Sequence, residues 1–82
     1  MTTSSERLEA AFRSGLALPS KLDVRTISAA TSRHWDSVAH LQLVAAIEKN
    51  FNVMLSPGDV MDLNSYASAV EILQRLSAWN AS

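Results

Sequence analysis

Helix-start signals, each followed by apolar residues at helical spacing, recur along this chain and restrict it to an all-α architecture. Thr3 followed by Glu6 reads as a capping box. Behind it Leu8, Ala11, Phe12, Gly15 and Leu16 fall on one helical face, which predicts a helix from about Ser4 to Gly15, ended by Pro19. Asp36 is a good N-cap for a second helix, with Leu41, Val44, Ala45, Ile47 and Phe51 forming an apolar stripe toward a core. Glu48 and Lys49 sit near its end, and Asn50 and Asn52 mark where it stops. Ser56-Pro57-Gly58-Asp59 opens a short helix ending near Leu63, with the proline at its first position and Asp59 at its positive end. Ser65 caps a last helix that carries Tyr66, Ala69, Val70, Leu73 and Leu76. The stretch from Ala17 to Asp36 is long and irregular. Its apolar anchors Leu22, Val24 and Ile27 favour an ordered loop laid across the core. No strand pattern, repeat or low-complexity tract appears. The expected fold is a small bundle of three main helices plus one short helix.

At 82 residues the chain has room for one domain, with an ordered core over about residues 4–77 and short polar termini. A domain of this size buries only about 60–65% of its unfolded surface, so every large apolar side chain matters to the core. There is no cysteine, which excludes a disulfide scaffold and a thiolate metal site. Two glycines and two prolines argue against a turn-rich β architecture. The net charge of −1, with Lys and Arg scattered, offers no basic stripe for nucleic acid. The longest apolar run, Leu43 to Ile47, is too short for a membrane span, and Met1 to Glu6 has neither part of a secretory signal. A cytoplasmic monomer is the expectation.

Asp36-Ser37-Val38 opens a helix after a long loop, and it lies within Trp35-Asp36-Ser37-Val38-Ala39-His40-Leu41-Gln42-Leu43-Val44. This segment resembles the acyl and peptidyl carrier protein family, whose motif is Asp-Ser-Leu. Downstream, Phe51-Asn52-Val53, Ser56-Pro57, Val60, Leu63 and Asn64-Ser65-Tyr66 match the family's helix exit, short third helix and capped fourth helix. The resemblance extends to about Leu76. It implies an acyl-carrier-protein-like bundle in which Ser37 carries 4′-phosphopantetheine derived from coenzyme A. It also implies that Asp36 helps a phosphopantetheinyl transferase bind and orient Mg²⁺. The arm's thiol would hold an acyl or aminoacyl group as a thioester and present it to a loading enzyme and the downstream enzymes of the pathway. Such a chain is not itself an enzyme. Val38 replaces the family's leucine conservatively, His34 stands where many members have glycine, and Trp35 replaces a small residue beside the arm. His40, Leu41, Val60 and Met61 are the expected partner contacts.

The physical case at Ser37 agrees with that implication. A phosphodiester at a helix N-terminus meets free N–H groups and the positive end of the macrodipole, worth about 0.3–1 kcal/mol at an exposed site. His40, Gln42, Glu48 and Lys49 leave the second helix nearly neutral, whereas fatty-acid carriers are often acidic there. A dedicated biosynthetic pathway is therefore the expected client. Other readings stand beside this one. In one, the chain is an unmodified helical interaction module, with Ser37 only an N-terminal capping residue. Asp36, Ser37 and His40 invite a hydrolase reading, but no third group is evident to orient the histidine. His34 and His40 make a weak metal pair and read better as solvated. Trp35 reads equally as core cover and as recognition residue. Met54 and Met61 read as gap-filling core, and Trp79 as a cap on the bundle or a tail residue. Small residues Ala39, Ala45, Ala46 and Ala69 either leave a cavity or allow close helix packing.

Overall fold

The computed structural model describes residues 3–18, 22–30 and 35–79. It is an all-α bundle of α1 (Ser4–Leu16), α2 (Ser37–Phe51), the short α3 (Pro57–Asp62) and α4 (Tyr66–Arg75), with a 3₁₀ turn at Val24–Thr26. No helix among the described residues is long and apolar enough to cross a membrane. Pro19 and His34 lie outside the described residues.

Each helix starts where its cap residue stands. Thr3 Oγ1 accepts from the Glu6 N–H at 3.1 Å, Asp36 from Ala39, Ser56 from Asp59 and Ser65 from Ser68. The ends differ more from expectation. α1 continues through Gly15 to Leu16 and is closed by Ala17 in the left-handed region, φ 52°. Gly15 is not a terminator because it lies at the contact with α2. A Cβ there would fall 2.6 Å from Leu43 Cα, so the two backbones approach as only glycine allows. α2 ends at Asn52, also left-handed at φ 53°, with the Val53 N–H returning to the Glu48 carbonyl at 3.2 Å.

The apolar face of α1 is buried as its spacing predicts: Leu8, Ala11, Phe12, Gly15 and Leu16. On α2 the buried set is Ala39, Leu43, Val44, Ile47 and Phe51. Leu41 and Ala45, assigned to the core stripe from the sequence, are exposed instead. The helix is apolar on several faces, so spacing alone does not choose among them. Contact with Gly15 turns Leu43 inward, and residues about 100° per step away then face out. On α4 the core takes Tyr66, Ala69, Ile72 and Leu73, while Val70 is half-buried and Leu76, just past the helix, is exposed.

Phe12 stands at the aromatic centre of the core, 5.7 Å from the Trp35 ring edge-on and 5.7 Å from Tyr66. Such pairs add about 0.5–1.5 kcal/mol beyond burial. Of the irregular segment, residues 22–30 are described, and they lie across the core. Val24 and Ile27 are buried, Leu22 packs against them partly exposed, and the Ala29 N–H donates to the Asn64 carbonyl at 2.8 Å. Trp79 is half-buried and stacks on Phe51 at 6.4 Å, which makes it a cap on that end of the bundle.

Candidate functional site

Asp36 has extended backbone, φ −102° and ψ −174°, and its Oδ1 accepts from the Ala39 N–H at 2.8 Å. Ser37 is therefore the first helical residue, exposed, with capping carried out by its neighbour. Among the described residues no hydrogen bond engages its hydroxyl, which stands at the positive end of a 15-residue helix.

Trp35, immediately before the cap, is only 8% exposed and belongs to the core. The core-cover reading of this residue therefore holds. Its indole Nε1–H donates to His40 Nδ1 at 2.9 Å. His40 Nε2 lies 2.8 Å from the Val60 carbonyl oxygen. A carbonyl only accepts and an indole N–H only donates, so the ring is neutral with its proton on Nε2. The two ring planes are tilted by 27° with centroids 6.0 Å apart. His40 is half-buried and not the solvated histidine that its sequence context implied. Both ring nitrogens are committed, one to the Trp35 indole and one to the Val60 carbonyl.

An open cleft of about 580 Å³ borders Ser37, lined by Ala29, Trp35, Asp36, Ser37, His40 and Leu41. Beyond it the surface is apolar. Val38 is 66% exposed, Leu41 65% and Met61 83%. Met54 is 85% exposed, so neither of these methionines fills the core as the sequence reading had it. Val60 is half-buried and packs against the core, presenting its carbonyl to His40. From Ser37 to Ile47, α2 carries no Asp, Glu, Lys or Arg. Ala39 and Ala69 are buried, Ala46 is half-buried and Ala45 is exposed, so these alanines do not all face one interior space.

Polar links hold α3 and the loop before it. Glu48 Oε2 accepts from the Leu55 N–H at 2.9 Å, tying the α2–α3 loop to α2. Asp59 closes a capping box with Ser56 and meets Arg75 Nη2 at 3.1 Å. Among the described residues no three His, Cys, Asp or Glu are placed to hold a metal ion. The Trp35–His40–Val60 relay was not legible in the sequence. Its one local signal is an indole and an imidazole five residues apart across a helix start, while the Val60 carbonyl is brought in only by the fold.

No family model matches the chain, and no curated protein and no solved structure matches it significantly.

Proposed function

We propose that this chain is a carrier domain in which Ser37 bears a 4′-phosphopantetheine arm. The observation that carries the reading is the exposed Ser37 hydroxyl at the first position of α2, relieved of capping by Asp36 and set at the lip of a cleft. In the modifying step Ser37 Oγ attacks the β-phosphorus of coenzyme A. An Oγ–P bond forms, the P–O–P bond breaks, adenosine 3′,5′-bisphosphate leaves and the hydroxyl proton passes to base or solvent. A transferase supplies Mg²⁺, which Asp36 helps to position, as in the family the sequence resembles. The new phosphodiester gains from the free N–H groups of the first turn. The arm's thiol then holds an acyl or aminoacyl group and delivers it to successive enzymes, its advantage being the raised effective concentration of a tethered substrate. The chain performs no chemistry of its own in this scheme, and a cytoplasmic setting supplies the coenzyme A. Because α2 is uncharged as far as Ile47, its clients are enzymes of a dedicated pathway with little basic character at the docking face.

The exposure of Val38, Leu41 and Met61 favours a second reading, an unmodified helical interaction module. One experiment separates the two. The chain and Ser37→Ala are incubated with coenzyme A, Mg²⁺ and a broad-specificity phosphopantetheinyl transferase, and intact masses are recorded. The carrier reading expects a gain of one phosphopantetheine on the natural chain and none on Ser37→Ala, whose circular dichroism stays unchanged because Asp36 still caps α2. A folded chain left unmodified beside a modified control carrier sinks the reading in favour of the interaction module.

A further inference from the structure

His40 is the one histidine among the described residues and lies on α2 one turn after Ser37. It makes two bonds of opposite sense, accepting from the Trp35 indole N–H at 2.9 Å and meeting the Val60 carbonyl of α3 at 2.8 Å. Only the neutral ring with its proton on Nε2 satisfies both. A charged imidazolium carries N–H on both nitrogens. It keeps the bond to Val60 but sets a donor against the indole donor, so the Trp35 contact must break. We propose that His40 is a positioning residue for the Ser37 site, a proton-sensitive latch that fixes the Trp35 indole as a wall of the cleft when neutral and releases it when charged.

The surroundings favour this outcome, because no nearby carboxylate is bonded to the ring to compensate a charge on it. On α2, Asp36 is engaged by the Ala39 N–H and Glu48 by the Leu55 N–H. On α3, Asp59 is engaged by Ser56 and Arg75, and Asp62 is exposed. The Val60 bond survives the charge and the Trp35 bond does not, so Trp35, which also lines the cleft, is the partner that is released. Its release alters both the wall beside Ser37 and the edge-on seat against Phe12. The latch itself needs no arm on Ser37. Its effect on modification rests on the carrier reading.

The test uses the unmodified full chain, ¹⁵N-labelled, at about pH 8 and about pH 5, on either side of the range in which an imidazole ordinarily ionises. At the higher pH the His40 ring nitrogens should report a bare Nδ1 and a protonated Nε2, with the Trp35 indole N–H protected from exchange. Once the ring is charged, that protection should fall by about five- to tenfold, the worth of one net hydrogen bond, while α1 amides stay protected. In His40→Gln the side-chain oxygen can accept from the indole and the amide can donate to Val60, yet it takes up no proton, so protection should not change with pH. Trp35→Phe keeps a ring against Phe12 but removes the donor, so the pH-sensitive indole signal should vanish while the Val60 carbonyl still holds the His40 proton on Nε2. A proton on Nδ1 at the higher pH, or indole protection indifferent to His40 ionisation, overturns the latch.

The rate of phosphopantetheine transfer to the natural chain is then divided by that to His40→Gln at each pH, which cancels the transferase's own pH dependence. A ratio that changes by about threefold or more, of the order of one hydrogen bond, supports a positioning role. A constant ratio overturns it. If neither chain is modified at either pH, the carrier reading and the positioning role fall together, and the nuclear magnetic resonance result still decides the latch.

Discussion

Where α1 crosses α2, Gly15 brings one backbone against the other, and Leu8, Phe12, Leu43 and Ile47 are sealed from solvent around the contact. Where α3 meets the rest of the bundle, the helix is six residues long and its one buried side chain is a carboxylate, Asp59. That helix is held by polar tethers: the Ser56–Asp59 capping box, the Asp59–Arg75 pair, the Glu48–Leu55 link and the His40–Val60 bond. Apolar packing is non-directional and grows with buried area, so the α1–α2 junction is a large share of the domain's stability, joined by the buried Val24, Leu63 and Leu73. Polar tethers are each worth about 0.5–1.5 kcal/mol net and break singly, so α3 can open without global unfolding. Ser37 opens α2, and His40 one turn on is bonded to the Val60 carbonyl of α3.

The contrast is broken most severely at Leu43. Leu43→Ala removes a fully buried side chain from the closest contact in the bundle. It should cost about 2–5 kcal/mol in chemical denaturation, with fluorescence and circular dichroism transitions moving together. Gly15→Ala comes next. Its methyl would lie 2.6 Å from Leu43 Cα and 2.9 Å from Leu43 N, backbone atoms that cannot rotate away. Overpacking of this kind costs about 1–3 kcal/mol, against up to about 1 kcal/mol gained in helix propensity. A net loss is expected, and a more stable Gly15→Ala protein would show that the helices can separate without penalty.

How much of this was readable beforehand follows the same division. Caps at Thr3, Asp36, Ser56 and Ser65 act through neighbours three residues on, so sequence carries them completely, and all four helix starts stand where these residues predict. The face of α1 was legible because Arg7, Glu9, Arg13 and Ser14 leave only one apolar side. α2 offers Val38, Leu41, Leu43, Val44, Ala45 and Ile47 around most of its circumference. Which of these turn inward depends on Gly15 of another helix, and that is why Leu41 and Ala45 were assigned to the core and Leu43 was not. Methionines at 54 and 61 misled for a related reason, since α3 is too short to bury both flanks. At the candidate site, Asp36 and Ser37 were legible as a capped helix start. The His40 relay was not, because its second partner is a backbone carbonyl twenty residues away.

A smaller and more local effect is expected at α3. Asp59→Ala deletes the acceptor of the Ser56 N–H and the partner of Arg75. The cost should be about 1–2 kcal/mol. Hydrogen exchange should accelerate over Pro57–Asp62 while α1 amides keep the protection set by global unfolding. Equal acceleration in α1 and α3 would erase the distinction between the two regions and make the domain a single cooperative unit.

The mildest variant resolves the tethers from one another. Arg75 is 62% exposed in its side chain, whereas the Asp59 carboxylate is 11% exposed. Solvent and salt screen the arginine end, so Arg75→Gln should cost less than about 1 kcal/mol, and the difference should shrink further in high salt. Asp59 keeps its bonds to Ser56 in that variant and therefore does not become an unpartnered buried charge. Asp59→Ala should thus be the more damaging half of the pair, although both remove the same ion pair. If Arg75→Gln instead matched Asp59→Ala in both stability and α3 exchange, the α4 contact rather than the capping box would be what seats α3.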